Sequence, residues 1–240
     1  MEIKGTIALV TGANRGIGSA LAKALLRRDV SKVYATARRD SDLERVARLD
    51  AKRVIPVRLD VTDQGQLAQV AKQAADVQIL FNNAGVLDFG SVLDASPEAF
   101  RRNLDVNFFG VLHTMRAFAP GIERQHGAVV NILTLVALAS MPGLGVYNAS
   151  KAAAWSLTQS MRADLGKKGV KVFSVFPGAV DTDMLKGVEM QKTSPAAVAE
   201  AVLTGIEGDA EDIFPDSMSQ QLYAQWASDH KRIEHQFAAM

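Results

Sequence analysis

Thr6-Ile7-Ala8-Leu9-Val10-Thr11-Gly12-Ala13-Asn14-Arg15-Gly16-Ile17-Gly18 is the stretch on which the fold turns. Its first five residues form a β-branched and aliphatic run that reads as a strand. The glycines follow directly, and Leu21, Ala24 and Leu25 then recur at helical spacing. Strand, glycine turn and helix in that order make a phosphate cradle. Glycines let the backbone approach a pyrophosphate, and the helix amino terminus offers unpaired N–H groups and a positive dipole end. Glycine trios also occur in ordinary loops; the flanking strand and helix give this one its meaning. Gly12, Asn14, Arg15, Gly16, Ile17 and Gly18 are therefore candidate contacts to a dinucleotide.

Residues 32–37 read as a second strand ending in Arg38-Arg39, and Arg38 lies twenty residues past Gly18. An acid near that distance accepts hydrogen bonds from an adenosine ribose 2′-hydroxyl, whereas an arginine accommodates a 2′-phosphate. With Arg15 as a second cation, the expectation is NADP(H) rather than NAD(H). A third strand at 53–59 contains Pro56, which cannot donate to a ladder and places that strand near a sheet edge. It delivers Asp60 and Val61 to the adenine side, with a helix at 66–75 beyond. A fourth strand, 77–81, leads into Asn82-Asn83-Ala84-Gly85, where small residues let a ribose lie close. Helical patterning over 97–121 contains Asn107. Residues 128–133 and 170–176 read as strands five and six, with a helix from about 144 to 167 between them. Pro177-Gly178-Ala179-Val180-Asp181-Thr182 follows the sixth. Residues 183–193 read as a lid, and Ser194-Pro195 opens another helix with serine as cap. A short seventh strand at 212–215 precedes a closing amphipathic helix over 217–237. Near-continuous apolar strands alternating with amphipathic helices imply an α/β parallel sheet covered on both faces. No linker or repeat divides residues 1–240, so one domain is expected.

Chemistry centres on Thr134, Tyr147 and Lys151. Tyr147 and Lys151 are four apart, one turn along one helix face. A phenol titrates near 10, and a neighbouring ammonium stabilises the phenolate and draws that value towards neutrality. Thr134 ends the fifth strand, so its hydroxyl emerges at the strand's carboxyl end. Together the three can bind a carbonyl oxygen and give it a proton, but they cannot supply a hydride.

Composition narrows the alternatives. The 240 residues include 48% hydrophobic and 22% charged, with net charge +1, so no electrostatic pull towards nucleic acid or an acidic membrane is expected. There are no cysteines, and the four histidines lack metal-ligand spacing. No apolar run is long enough for a membrane span, and the amino terminus leads into a strand rather than a signal peptide, so a cytoplasmic protein is expected.

Taken in order, Thr11-Gly12-x-x-x-Gly16-x-Gly18, Asp60, Asn82-Asn83-Ala84-Gly85, Asn107, Tyr147-x-x-x-Lys151 and Pro177-Gly178-x-x-x-Thr182 resemble the short-chain dehydrogenase/reductase family along nearly the whole chain. The resemblance implies a Rossmann-type, doubly wound sheet of about seven strands with NADP(H) across their carboxyl ends. It implies that Tyr147 is the general acid in reduction and base in oxidation, that Lys151 lowers its pKa and holds the nicotinamide ribose, and that Asn107 supports a proton-carrying water chain. Gly12, Asn14, Arg15, Gly16, Ile17, Gly18, Arg38, Asp60, Val61, Asn83, Ala84, Gly85, Tyr147, Lys151, Pro177, Gly178, Val180 and Thr182 would contact the cofactor, the last two through the carboxamide.

Two departures stand out. The family usually has serine where this chain has Thr134, whose added methyl takes pocket volume. A glycine-rich final strand common in tetrameric relatives is replaced by a helix, which puts the usual tetramer in doubt and leaves a homodimer or monomer open. The residues near the proposed acid (Leu135, Val136, Leu138, Met141, Leu144) are apolar and suit a small ketone or aldehyde, or the matching alcohol. An NADP(H)-binding sensor without catalysis is the main alternative. A methyltransferase would leave Arg38 and the Tyr147–Lys151 pair without a role, and a dehalogenase-like relative would lack the glycine cradle.

Overall fold

The structure is a computed structural model describing residues 1–239. Its seven strands are β1 (Ile7–Val10), β2 (Lys32–Ala37), β3 (Val54–Arg58), β4 (Ile79–Asn82), β5 (Ala128–Ile132), β6 (Lys171–Val175) and β7 (Asp212–Ile213). They form one sheet in the order β3-β2-β1-β4-β5-β6-β7. Every adjacent pair is parallel. The helices are α1 (Gly16–Arg27), α2 (Asp40–Ala47), α3 (Gln64–Gln73), α4 (Pro97–Leu104), α5 (Gly110–Arg124), α6 (Gly145–Gly166), α7 (Pro195–Glu207), α8 (Ser217–Ser228) and α9 (His230–Ala238). This is the expected doubly wound Rossmann-type α/β architecture. Pro56 sits in β3, which is an edge strand.

The period-2 alternation of each strand sorts its side chains between two cores. Ala8, Val10, Ile79, Phe81, Val130 and Phe173 face one side, under Leu21 and Leu25 of α1 and Val202, Leu203 and Ile206 of α7. Leu9, Leu80, Val129 and Val172 face the other, under Leu67 of α3, Phe118 and Ile122 of α5, and Met161 and Leu165 of α6. Two covered faces require apolar residues at both parities, and that is why these strands lack a polar side.

One polar thread crosses this core. The Asn82 Nδ2 donates to Asn131 Oδ1 at 2.8 Å, Asn131 Nδ2 donates to Thr158 Oγ1 at 2.9 Å, and Thr158 Oγ1 donates to the Ala154 carbonyl at 2.7 Å. Asn131 and Thr158 are fully buried, so any slip of α6 against β5 strands an unpaired amide at a cost of about 1–3 kcal/mol. The thread therefore fixes the height of α6 relative to the end of β5.

Two sequence expectations change. The helix expected over 97–121 is interrupted by one π-helical turn, Asp105–Phe109, with Asn107 inside it. The closing helix expected over 217–237 is two helices. Asp229 is extended (φ −155, ψ 90) and its carboxylate accepts from the Arg232 N–H, so this residue ends α8 and caps α9. An additional helix, α2, follows β2.

Candidate active site

The cradle is built where β1 and β4 end side by side. Thr11 Oγ1 donates to the Phe81 carbonyl (3.1 Å) and accepts from the N–H groups of Asn83 (2.9 Å) and Ala84 (3.0 Å). Asn83 Nδ2 returns hydrogen bonds to the carbonyls of Thr11 and Gly12. Gly12 has φ +65, and a Cβ there would sit 3.2 Å from the Ala84 Cα. A Cβ at Gly18 would lie 2.2 Å from the Gly12 oxygen, an impossible contact. Arg15 occupies the N-cap of α1 without a side-chain capping bond, which leaves the first N–H groups free for an anion. A backbone this bare, beside an uncapped helix end, fits a pyrophosphate.

The expected phosphate cations differ in their commitments. Arg15 is paired with Asp183 at 3.0 Å, both side chains exposed. Arg39 is held by Asp42 at 2.8 Å. Arg38, next to the end of β2, has no ion pair among the described residues and opens onto a cleft of about 370 Å³ also lined by Asp60, Thr62, Arg101, Arg102 and Val106. Asp60 is tied locally, accepting from Thr62 N–H and Oγ1. Val61 is buried beneath, close to Gly110. Asn14 lies beside Asp42, and Ile17 is half-buried against the α1 core.

The candidate reacting groups lie at the ends of β5 and β6 and on the first turns of α6. Thr134, Tyr147 and Lys151 are all buried. Thr134 Oγ1 lies 3.5 Å from the Pro177 carbonyl and 3.4 Å from the Val136 N–H, and also reaches the Tyr147 phenol. Lys151 Nζ donates to the Ile132 carbonyl at 2.8 Å and stands 5.9 Å from the Tyr147 ring centroid. Burial pushes the phenol upwards, with the Thr134 hydrogen bond pulling the other way. Burial also pushes the Lys151 ammonium down to about 8. The expected lowering of the phenol by Lys151 is not found: desolvation penalises both charged forms, and Lys151 turns its hydrogen bond to Ile132 rather than to the phenol.

Asn107 is buried, its Oδ1 accepting from Val86 N–H (3.0 Å) and its Nδ2 donating to the Val86 carbonyl and Ser150 Oγ (2.9 Å each). Ser150 Oγ passes the link to the Tyr147 carbonyl at 2.7 Å. Gly85 fits tightly here, since a Cβ would lie 3.1 Å from Asn107 Oδ1 and 3.7 Å from Lys151 Nζ. A π turn shifts the helix register, and such turns often mark functional positions. Ser150 lay inside the quoted Tyr147–Lys151 motif, but its role depends on Asn107, forty-three residues away, and sequence reasoning missed it.

Gly178 N–H donates to the Asp216 carboxylate at 2.8 Å, Val180 is buried and bridges to Thr193, and Thr182 lies over the glycine turn, its Cγ2 3.1 Å from a Cβ built at Gly16. The structure thus gathers Thr134, Tyr147, Lys151, Asn107 and Gly85 into one cluster, and Gly12, Gly16 and Thr182 into an adjoining one. Arg38 and Asp60 line a separate cleft, and Val61 is buried. Sequence reasoning also missed the roof: Ile233 and Phe237 of α9 and Met218, Leu222 and Trp226 of α8 pack with Leu135, Val136 and Tyr147. Their sequence signal was i, i+4 spacing, in Met218, Leu222 and Trp226 and again in Ile233 and Phe237. Among the described residues no three His, Asp or Glu side chains converge as a metal site needs, and no helix is long and apolar enough to cross a membrane.

Known proteins share both sequence and shape with this chain. An uncharacterized oxidoreductase of Staphylococcus saprophyticus is 32% identical over 219 residues, spanning 86% of this chain and 93% of that protein. A short chain dehydrogenase from Burkholderia cenocepacia, solved in complex with NADP, superposes with a TM-score of 0.93 at 39% identity over 99% of each chain. A short chain dehydrogenase/reductase from Burkholderia phymatum in complex with NAD gives 0.86 at 28% identity, covering 98% of this chain and 96% of that one. The family model described as short chain dehydrogenase matches residues 6–193, and the chain belongs to that family of oxidoreductases.

Proposed function

We propose that this protein interconverts a ketone or aldehyde and its alcohol using NADP(H). The observation that carries the reading is the meeting of Thr134, Tyr147 and Lys151 beside the bare glycine cradle. The nicotinamide, when bound, supplies or accepts the hydride. In reduction Tyr147 Oη gives its proton to the carbonyl oxygen, and Thr134 Oγ1 donates a hydrogen bond to the same atom. Lys151, with a pKa of about 8, is largely protonated near neutrality and favours the phenolate once a proton has left. Asn107 fixes Ser150 and through it the Tyr147 backbone, and the water chain implied by the resemblance would start there. Gly12, Asn14, Arg15, Gly16, Ile17 and Gly18 would cradle the pyrophosphate, Asp60, Val61, Asn83, Ala84 and Gly85 the adenosine and ribose side, and Pro177, Gly178, Val180 and Thr182 the nicotinamide end.

The preference for NADP(H) rests on Arg38, which follows β2 and has no ion pair among the described residues, and on Arg15. The B. cenocepacia relative with NADP supports it; the B. phymatum one with NAD shows that the fold serves either nucleotide. A Tyr147→Phe variant tests the whole reading. Turnover of a ketone and aldehyde panel with NADPH should fall by about 10²–10⁴-fold while NADPH binding, followed by its fluorescence, is retained. Undiminished turnover would refute Tyr147 as the acid. Tight binding with no turnover by the unmodified protein would favour a sensor instead.

A further inference from the structure

Tyr147 is only 7% exposed and packs in an apolar cluster, so the layer around it governs how large a carbonyl can reach its phenol. Three segments are candidates for a movable part of that layer, and the structure separates them. The segment 183–193 contributes no side chain to the apolar cluster around Tyr147, and its Met184 and Met190 are exposed. Helix α8 is fastened firmly. Its Tyr223 and Trp226 close a ring of five aromatic contacts with Trp155, Phe176 and Phe214, at centroid separations of 4.0 to 6.2 Å. Its first turn is locked by a reciprocal capping box between Asp216 and Ser219, and Asp216 also accepts from Gly178 N–H.

Helix α9 is different. Among the described residues its hydrogen bonds and ion pairs all stay inside the segment, as in Lys231 to Glu234 and the Asp229 cap on Arg232. Only Ile233 and Phe237, one turn apart on one face, are buried, and both enter the cluster that contains Tyr147. The other side chains of its first two turns are exposed. A single extended residue, Asp229, joins α9 to the fixed α8, and among the described residues no hydrogen bond ties 230–238 to any element beyond it.

We propose that α9 is a lid hinged at Asp229, opening on its own to admit substrate to Tyr147, and that Ile233 and Phe237 on its inner face set the substrate size accepted. The second half rests on the reading of Tyr147 as the acid; the first does not.

The absence of native cysteine gives a direct probe. Ile233→Cys and Phe237→Cys place a buried thiol under the lid, and Val202→Cys places one in the main core, where Val202 is fully buried. Labelling by an aromatic disulfide reagent, read by the absorbance of its released thiolate, then reports how often each site opens. The two lid thiols should react at least tenfold faster than the core thiol in variants with matched denaturation midpoints, because sub-global opening precedes global unfolding. Equal rates at all three sites would overturn the lid. In a ketone panel, Ile233→Ala and Phe237→Ala should raise kcat/KM for bulky aryl ketones severalfold relative to small aliphatic ones. An unchanged ratio would overturn the role in selection. No turnover of any ketone by the unmodified protein would overturn the carbonyl reading and that role with it, and the lid would then stand or fall on labelling alone.

Discussion

Lys151 gives the sharpest quantitative test of the site. Its ammonium is buried among the ends of β5 and α6 with one hydrogen bond, to Ile132, and its pKa falls from 10.5 to about 8 because burial penalises the charge. Between those values the unfolded chain holds a proton that the folded protein has lost, so stability rises with pH across the window. Integrating the linkage from pH 7.5 to 9.5 gives a gain of about 2 kcal/mol, or about 4–8 °C in Tm for a chain of this size. The other displaced groups titrate elsewhere: carboxylates such as Asp42 and Asp88 are lowered, while Lys32, Tyr34 and Tyr147 are raised and act only above this range. Urea midpoints measured at several pH values for the unmodified protein and for Lys151→Met isolate the effect. The unmodified protein should show the rise and the variant a nearly flat line. The same slope in both would refute the reasoning and mean that the ammonium is solvated or ion-paired in the folded protein.

Two further outcomes follow from the geometry. Replacing Arg38 by Ala should weaken NADPH binding at least tenfold, or about 1.4 kcal/mol, and leave NADH binding nearly unchanged; fluorescence titration with both nucleotides checks this, and an equal loss for the two would remove the 2′-phosphate role. Thr134→Ser keeps the hydroxyl and removes a buried methyl beside the phenol, so turnover of bulky ketones should rise severalfold while small ketones change little; an unchanged substrate profile would show that the methyl does not face the substrate.

The strands, the glycine turn and the Tyr147–Lys151 spacing were legible because each leaves a local mark. Six apolar runs bounded by glycine, proline or polar residues gave six strands within a residue or two, and Pro56 announced its own edge position. Helix α2 was not legible, since it is short and highly charged and Val46 is its only fully buried apolar residue. The π turn leaves no compositional sign at all: Asp105–Phe109 continues the helical pattern, and only the packing of Asn107 against Val86 and Ser150 reveals the extra residue. The break at Asp229 was hidden for a related reason, because an aspartate on an exposed helix face and an aspartate capping a new helix read alike until its partner is known. Spacing paired Tyr147 with Lys151 correctly, but spacing carries no information about desolvation, which sets both pKa shifts.

The polar groups at this site are held more tightly than the surfaces that enclose them. Asn107, Ser150, Lys151 and Asn131 are buried, and each has a hydrogen-bond partner from another turn or strand, with the Asn82–Asn131–Thr158 thread pinning α6 to the sheet beneath them. Substituting any of these leaves a buried group unpaired, so the frame tolerates little change. The roof obeys other rules. It is made of apolar side chains from the segment after β7, which carry no obligatory partner and can be exchanged for others of different volume at modest cost. On the proposed reading, candidate reacting atoms fixed by the sheet ends, under a cover drawn from a separate stretch of chain, would allow substrate choice to vary without moving Tyr147, Thr134 or Lys151. The proposed lid places that freedom in α9, the one roof helix that no hydrogen bond ties to another element among the described residues.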